Sequence, residues 1–161
     1  MARYSLRLML FFVVIWEALL AAGQGPKPYG PPVGVESAKK IAAVALAEAR
    51  KNNWFMAVAV VDPSGTLVYY EKMDNTQTGS ADVAMAKART ASLYKRPSKV
   101  FQDMVAGGGS GLRILGLPNA VPIEGGIPLV VDGKIVGAIG VSGDSSDHDS
   151  ICAQAGADAL K

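Results

Sequence analysis

The chain has 161 residues, half of them hydrophobic and 19% charged, and its formal net charge is +2 at pH 7. A net charge this close to zero gives no indication of a large basic surface for nucleic acids. Because Cys152 is the only cysteine, a disulfide framework is excluded, and the fold must be stabilised by packing in a single domain-sized core.

Residues 1–23 have the pattern of an export signal. Arg3 and Arg7 precede an apolar run over residues 8–15, and small residues at 21–23 close the segment. The apolar run is shorter than the roughly 20 residues that a membrane-spanning helix needs. We therefore expect a signal peptide, cleaved near residue 23, and a periplasmic or secreted protein.

The sequence after this segment predicts one domain over residues 34–161. Residues 24–33 precede it, and because Gly and Pro are frequent there, we expect a flexible lead-in. The first helix is predicted over residues 36–52, since Ala and Ile recur on one helical face while charged residues fall elsewhere.

A β-hairpin is predicted next. Residues 57–61 form a continuous apolar run of Ala and Val, and residues 66–72 return as a second strand. Between the two strands, Asp62, Pro63 and Gly65 occupy positions that a type I turn prefers.

Two helices are predicted in the middle of the chain. Ser80 can cap the first, over residues 80–94, whose many Ala residues would let it sit close against a sheet. Pro97 can occupy the first turn of the second helix, which ends at Gly107. The Gly-rich loop over residues 107–121 is long, and loops of this length in compact domains are often functional.

The last third of the chain predicts a second hairpin and a final helix. Residues 127–131 and 134–142 flank the dipeptide Asp132-Gly133, which is a strong hairpin signal. The final helix is predicted over residues 150–160, with Cys152 as a small buried side chain. Two hairpins with helices between and after them favour an α+β fold, in which helices cover an antiparallel sheet.

Five short stretches, taken in their order and spacing, carry a resemblance to a known family. They are AVAVVDPSG at 57–65, AKARTA at 86–91, RPS at 96–98, EGGIP at 124–128 and VGAIGVSG at 136–143. Over residues 34–160 the chain resembles the GlcG/HbpS-like proteins, also called the heme-binding or heme-degrading domain family.

This resemblance implies a profilin-like fold with a central antiparallel sheet flanked by helices. It also implies homo-oligomers, from dimers to octamers, and heme as the commonest ligand. Where many relatives carry histidine after the turn glycine, this sequence has Thr66, which removes one candidate iron ligand.

His148 is the only histidine in the chain, and imidazole is a frequent axial ligand of heme iron. We therefore consider it as the metal ligand. The alternative is that His148, between Asp147 and Asp149, belongs to a solvated helix start, where acidic residues suit the positive end of the helix dipole. Tyr94 and Met85 are further candidate iron ligands, although packing roles explain both equally simply.

Basic residues near the end of the second predicted helix can pair with the carboxylates of heme or of a small organic acid. They are Lys87, Arg89, Lys95 and Arg96. Lys87 and Arg89 diverge on a helix, so these residues cannot all face one ligand, and ordinary solvated charges are the alternative. Arg96 has the strongest case, because Pro97 fixes the backbone beside it.

Ser98, Glu124, Gly125 and Gly126 complete the candidate ligand-binding residues, since they lie within the family stretches. The glycines allow positive φ or a close approach of the backbone to a ligand, and a tight bend into the next strand is the alternative. A buried Glu124 would need a partner, for which Arg89, Arg96 and Arg113 are the candidates.

Three functions follow from these residues and from the resemblance. The first is an exported heme-binding protein that sequesters or senses heme. The second is an enzyme acting on a small organic acid or related oxygenated metabolite, with Glu124 as acid or base and Arg96 as the group that binds the carboxylate. The third is an oligomeric interaction or sensor accessory module without small-molecule chemistry.

Overall fold

The computed structural model describes residues 26–160, so the predicted signal peptide and the first residues of the lead-in lie outside the described residues. Within these residues, four α-helices accompany a four-stranded sheet. The helices are α1 (Val35–Lys51), α2 (Ser80–Leu93), α3 (Ser98–Ala106) and α4 (Ser146–Asp158), and the strands are β1 (Ala57–Val61), β2 (Leu67–Lys72), β3 (Gly126–Val131) and β4 (Lys134–Ser142). The strand order is β2-β1-β4-β3, and every neighbouring pair is antiparallel. The predicted α+β fold with an antiparallel sheet is confirmed.

Strand β1 lies in the middle of the sheet, and all five of its residues are buried. Because successive side chains of a strand point to opposite faces, β1 contributes to two separate hydrophobic clusters. Ala57, Ala59 and Val61 pack with the alanines of α2. Val58 and Val60 pack with α1 and α4 on the other face. The sheet is therefore covered by helices on both sides.

Helix α2 approaches the sheet very closely over Gly140 of β4. A Cβ atom at Gly140 would collide with the backbone of Ala84 and Ala88, the residues that α2 presents to the sheet. Only small side chains on both surfaces permit this distance between a helix and a strand. The prediction that the Ala-rich helix α2 sits close against the sheet is therefore confirmed.

Both hairpin turns follow their local sequence signals. At the first turn, the Asp62 Oδ1 atom accepts hydrogen bonds from the backbone N–H groups of Ser64 at 2.8 Å and Thr66 at 2.9 Å. Thr66 belongs to this turn, so β2 begins one residue later than predicted. At the second turn, φ is +48° at Asp132 and +72° at Gly133, as a two-residue turn with positive φ at both positions requires.

The described part of the lead-in lies against the sheet. The Gly30 N–H group donates to the Ile135 carbonyl at 2.8 Å, and the Ile135 N–H group donates to the Pro28 carbonyl at 2.9 Å. Strand β1 pairs with β4 only from Ala138 onward, so the start of β4 would otherwise expose this edge. These hydrogen bonds fix residues 28–30 in place, within the segment that the Gly and Pro content predicts to be flexible.

Two helix starts differ from their sequence-based expectations. Helix α4 begins at Ser146, four residues before the predicted start, because Asp147 and Asp149 occupy its first turn, where the helix dipole favours carboxylates. Helix α2 begins at Ser80, but Gly79 is its N-cap. The Ser80 hydroxyl is buried and has no hydrogen-bond partner among the described residues, so it does not cap the helix.

The connections before and after α3 also differ from their predictions. Pro97 is the N-cap of α3, whose first residue is Ser98. The loop predicted over residues 107–121 contains a 3-10 helix, Gly109–Gly116, that exposes Leu112 and Leu115. Within residues 26–160, no helix has the length and apolar character needed to cross a membrane.

The contact between α2 and β4 predicts that Gly140→Ala is strongly destabilising. The added methyl group would push against helix backbone rather than a flexible side chain, and such overpacking costs about 1–3 kcal/mol. Urea denaturation measures this loss. Gly116→Ala is the control, because a Cβ atom there meets nothing within 4 Å; equal effects of the two substitutions would contradict the assigned contact.

Candidate functional site

A cleft of about 740 Å³ lies where the lead-in, the α2–α3 connection and β3 meet, a volume typical of small-molecule sites. Its walls are largely apolar, and three cationic side chains stand among them. The lining residues include Val100, Ile127, Val130 and Ile135 on the apolar side, and Lys27, Lys95 and Arg96 as cations. Apolar walls with a few polar anchors are the usual composition of a ligand-binding pocket.

Arg96 is held in a defined orientation at this cleft. Its Nε–H group donates to the Tyr94 carbonyl at 3.1 Å. Its guanidinium carbon lies 5.7 Å from the centre of the Phe101 ring, within the range of a cation–π contact. The remaining donors of the guanidinium are on its terminal nitrogens, the pair that binds carboxylates in a bidentate way. Arg96 is thus oriented for an anionic group.

Tyr29 fixes the lead-in as one wall of the cleft. Its hydroxyl donates to the carbonyl oxygens of Ser92 at 2.9 Å and Leu93 at 3.2 Å, at the end of α2, where helical carbonyls lack intrahelical partners. The Lys95 ammonium lies 4.1 Å from the centre of the Tyr29 ring. Burial raises the pKa of Tyr29, so its hydroxyl remains a donor. These contacts place Lys27 beside Lys95 and Arg96 in the cleft lining.

Lys87 does not reach the cleft. Its side chain is 1% exposed, and its Nζ atom lies 2.5 Å from Oδ2 of Asp149, which is 2% exposed. Burial lowers the pKa of Lys87 and raises the pKa of Asp149, because each charged form loses hydration, while the attraction between the two groups opposes both shifts. The pair joins α2 to the first turn of α4 inside the protein.

Gly125 and Gly126 lie directly against this ion pair. At Gly125, where φ is +116°, a Cβ atom would come within 3.0 Å of Lys87 Nζ and 2.9 Å of Asp149 Cβ. At Gly126 it would collide with the Lys87 carbonyl. The Gly126 N–H group donates to the buried Ser98 hydroxyl at 2.8 Å. We call Lys87, Ser98, Gly125, Gly126 and Asp149 the lysine–aspartate cluster. These glycines thus let the backbone approach Lys87 and Asp149 in the protein interior, whereas one sequence-based expectation is an approach to a ligand.

Glu124 lies beside the lysine–aspartate cluster, and its observed partners are Lys99 and Gln102 in place of the expected arginines. Its carboxylate lies 3.4 Å from Lys99 Nζ and 3.5 Å from Gln102 Nε2. Its backbone N–H group donates to Gln102 Oε1 at 2.9 Å. Arg96 lines the cleft and Glu124 is not among the lining residues, so the acid–base group and the carboxylate-binding group of the enzyme hypothesis do not share this site.

Arg89 serves the first hairpin. Its Nε–H group donates to the Gly65 carbonyl at 3.1 Å, in the turn between β1 and β2. The side chain therefore points toward this turn, as the divergence of Lys87 and Arg89 on one helix implies. Of the four basic residues that the sequence singles out, Lys95 and Arg96 share the cleft.

His148 lies on the first turn of α4, with its ring stacked on Trp54 at 3.9 Å between centroids and an interplanar angle of 14°. Its Nδ1 atom is 3.0 Å from Oδ1 of Asp144. His148 is not among the residues lining the cleft. The other candidate iron ligands also have neighbours elsewhere: the Tyr94 hydroxyl donates to the Pro118 carbonyl at 2.5 Å, and Met85 packs against the cluster beneath α2.

Within the described residues, no group of three or more His, Cys, Asp or Glu side chains could hold a metal ion.

Cys152 is buried, as predicted, and burial raises the pKa of its thiol to about 12. A thiol with this pKa is not a nucleophile at neutral pH, because the thiolate is the reactive form.

Sequence reasoning missed Lys27 in the cleft, Tyr29 that anchors the lead-in beside it, and Asp149 in the lysine–aspartate cluster. Lys27 and Tyr29 lie in the predicted lead-in, and the sequence indicates Asp149 only as part of a helix start. An aromatic residue between prolines, as Tyr29 is in Pro28-Tyr29-Gly30-Pro31, was the one local signal that this segment is anchored. For Asp149 no local signal exists, because its partner is distant in sequence.

Comparisons with known proteins identify the family. The model described as "Haem degrading protein HbpS-like" matches residues 33–158. Protein GlcG of Escherichia coli strain K12 is 40% identical over 107 residues, which are 66% of this chain and 78% of GlcG. A structure of an HbpS double mutant from Streptomyces reticuli has a TM-score of 0.76 and 30% identity, covering 85% of this chain and 92% of that one. A structure described as a PduOC:heme complex has a TM-score of 0.73 and 26% identity, covering 81% and 96%. The chain belongs to the HbpS-like family, which confirms the resemblance.

We predict that the buried pair couples strongly in a double-mutant cycle. Lys87→Met or Asp149→Asn alone leaves one buried charge without its counterion, at a cost of about 3–5 kcal/mol. The double substitution removes both charges, so its cost should be smaller than the sum of the single costs. Chemical denaturation of the four proteins measures this difference. Additive costs would mean that the two charges do not stabilise each other.

Tyr29→Phe should loosen the lead-in without unfolding the domain. The substitution removes the hydroxyl that binds the end of α2, and a hydrogen bond of this kind contributes about 0.5–1.5 kcal/mol. We expect amide exchange at Gly30 and at Val33, whose N–H group donates to the Val136 carbonyl at 2.8 Å, to accelerate by about 2- to 10-fold, with exchange in β1 unchanged. Tyr70→Phe, on β2, is the matched control. Unchanged exchange at Gly30 would show that the Tyr29 hydroxyl does not hold the segment.

Proposed function

We propose that this protein binds heme in the cleft beside Arg96. The observation that carries the proposal is the combination of apolar walls and three cations in one cleft. Two relationships support it: the family description names haem degradation, and a structure of similar fold is described as a PduOC:heme complex.

The residues of the cleft fit the porphyrin ring and its propionate groups. Val100, Ile127 and Val130 offer apolar surface to the faces of the ring. Arg96 and Lys95 lie where carboxylates can pair with them, and the defined orientation of Arg96 reduces the ordering that such a pair requires. Bound heme would supply an iron centre capable of one-electron and oxygen chemistry.

The proposal includes a setting outside the cytoplasm, in the periplasm or secreted, where the protein sequesters or senses heme. The pattern of residues 1–23 supports export. It also includes self-association of this chain into a dimer or a larger ring, up to an octamer. Leu112 and Leu115 on the 3-10 helix are 50% and 64% exposed, and apolar side chains at such exposure favour burial against another copy.

Arg96→Ala should weaken hemin binding by about tenfold. Charge-assisted hydrogen bonds contribute about 1.5–3 kcal/mol. Because Arg96 is exposed, we expect a value just below this range, about 1.4 kcal/mol, which is one factor of ten in the dissociation constant. Absorbance titration of residues 24–161 with hemin measures the change. Arg113→Ala is the matched control, because Arg113 is an exposed arginine outside the cleft lining.

His148→Ala distinguishes the cleft from a site at the start of α4. Binding in the cleft predicts the same affinity and the same Soret band as in the unmodified protein. A shifted band in His148→Ala, with an unchanged titration of Arg96→Ala, would place heme iron at His148 and overturn the cleft proposal.

A further inference from the structure

Among the residues that the structure describes, those that line the cleft include none of the side chains that proteins commonly use to ligate heme iron. Those side chains are His, Cys, Met and Tyr. The described residues that line the cleft are apolar residues, prolines, two lysines and an arginine. Arginine and the lysine ammonium are donors without an acceptor lone pair, so these residues recognise anions rather than metal ions.

The candidate ligands outside the cleft already have other contacts. His148 stacks on Trp54 and contacts Asp144 through Nδ1. The Tyr94 hydroxyl donates to the Pro118 carbonyl. Cys152 is fully buried, and the pKa of its thiol is raised to about 12. None of these side chains lines the cleft. The residues of the cleft can therefore contact the ring and the carboxylates of the ligand, but not its iron.

We infer that the cleft selects anionic tetrapyrroles by their ring faces and carboxylates, so that metal-free porphyrins are ligands of the same class as heme. This inference rests on the proposed heme site. The apolar walls gain from burying a flat ring whether or not it holds iron. The cations at Lys27, Lys95 and Arg96 pair with carboxylates that heme and protoporphyrin share.

Three ligands that differ in one feature each test the inference. Hemin and protoporphyrin IX differ in the iron, and protoporphyrin IX and its dimethyl ester differ in the charged carboxylates. We expect the dissociation constants of hemin and protoporphyrin IX to agree within about threefold, and the ester to bind about tenfold more weakly or worse. Raising the salt concentration should weaken the binding of the two acids more than the binding of the ester, since salt screens the attraction between exposed charges.

The variants sharpen the comparison. Arg96→Ala should weaken the binding of hemin and of protoporphyrin IX by the same factor of about ten, and it should leave the affinity for the ester unchanged. Arg113→Ala is the control for the loss of an exposed arginine. Absorbance of hemin and fluorescence of the metal-free ligands provide the readouts, and the chain used is residues 24–161.

The outcomes separate this inference from the proposed function. Hemin binding about a hundredfold tighter than protoporphyrin IX would overturn the inference, because the iron would then supply the difference, while heme binding itself would stand. Equal affinity of acid and ester would also overturn it, because the carboxylates would not be recognised. Absence of binding by all three ligands would overturn the proposed function together with the inference.

Discussion

The close contact between α2 and the end of the β3–β4 hairpin is the constraint on which the rest of the structure depends. Gly140 and Gly126 let helix backbone touch strand backbone, and this distance leaves no solvent layer for a charged side chain on the same face of α2. Lys87 is therefore buried and requires a counterion. Asp149 supplies it from α4, so the position of α2 constrains the position of α4, although α3 and the second hairpin lie between them in the sequence.

The same placement of α2 prepares the cleft. Its last turn offers carbonyls to Tyr29, and the connection that follows carries Lys95 and Arg96 to the cleft. Helix α2 thus reaches the interior of the protein at its middle, through Lys87, and leads to the candidate ligand site at its C-terminal end. Lys87 and Arg96 lie nine positions apart in the sequence, yet one neutralises a buried carboxylate and the other faces an open pocket.

Local signals were sufficient for most of the fold and insufficient for the site. The apolar run of β1 and the Asp132-Gly133 turn depend on neighbouring residues, so their sequence predicts them. The docking of the lead-in depends on the free edge of β4, and the burial of Asp149 depends on Lys87. In both cases the partner is distant in sequence. Whether a charged side chain is buried or exposed is likewise decided by packing. Arg96 at a cleft agrees with its candidate role in binding, which stays a prediction, whereas the burial of Lys87 could not be inferred from the AKARTA stretch.

The cleft also requires contacts between distant parts of the chain. Lys27 and Ile135 line it together although they lie near opposite ends of the chain, and bringing such distant residues together costs loop entropy that must be offset by contacts formed earlier. The lead-in hydrogen-bonds to Ile135, which β4 of the second hairpin supplies. The cleft therefore depends on both ends of the domain, and a truncated chain that lacks β4 has no cleft to offer a ligand.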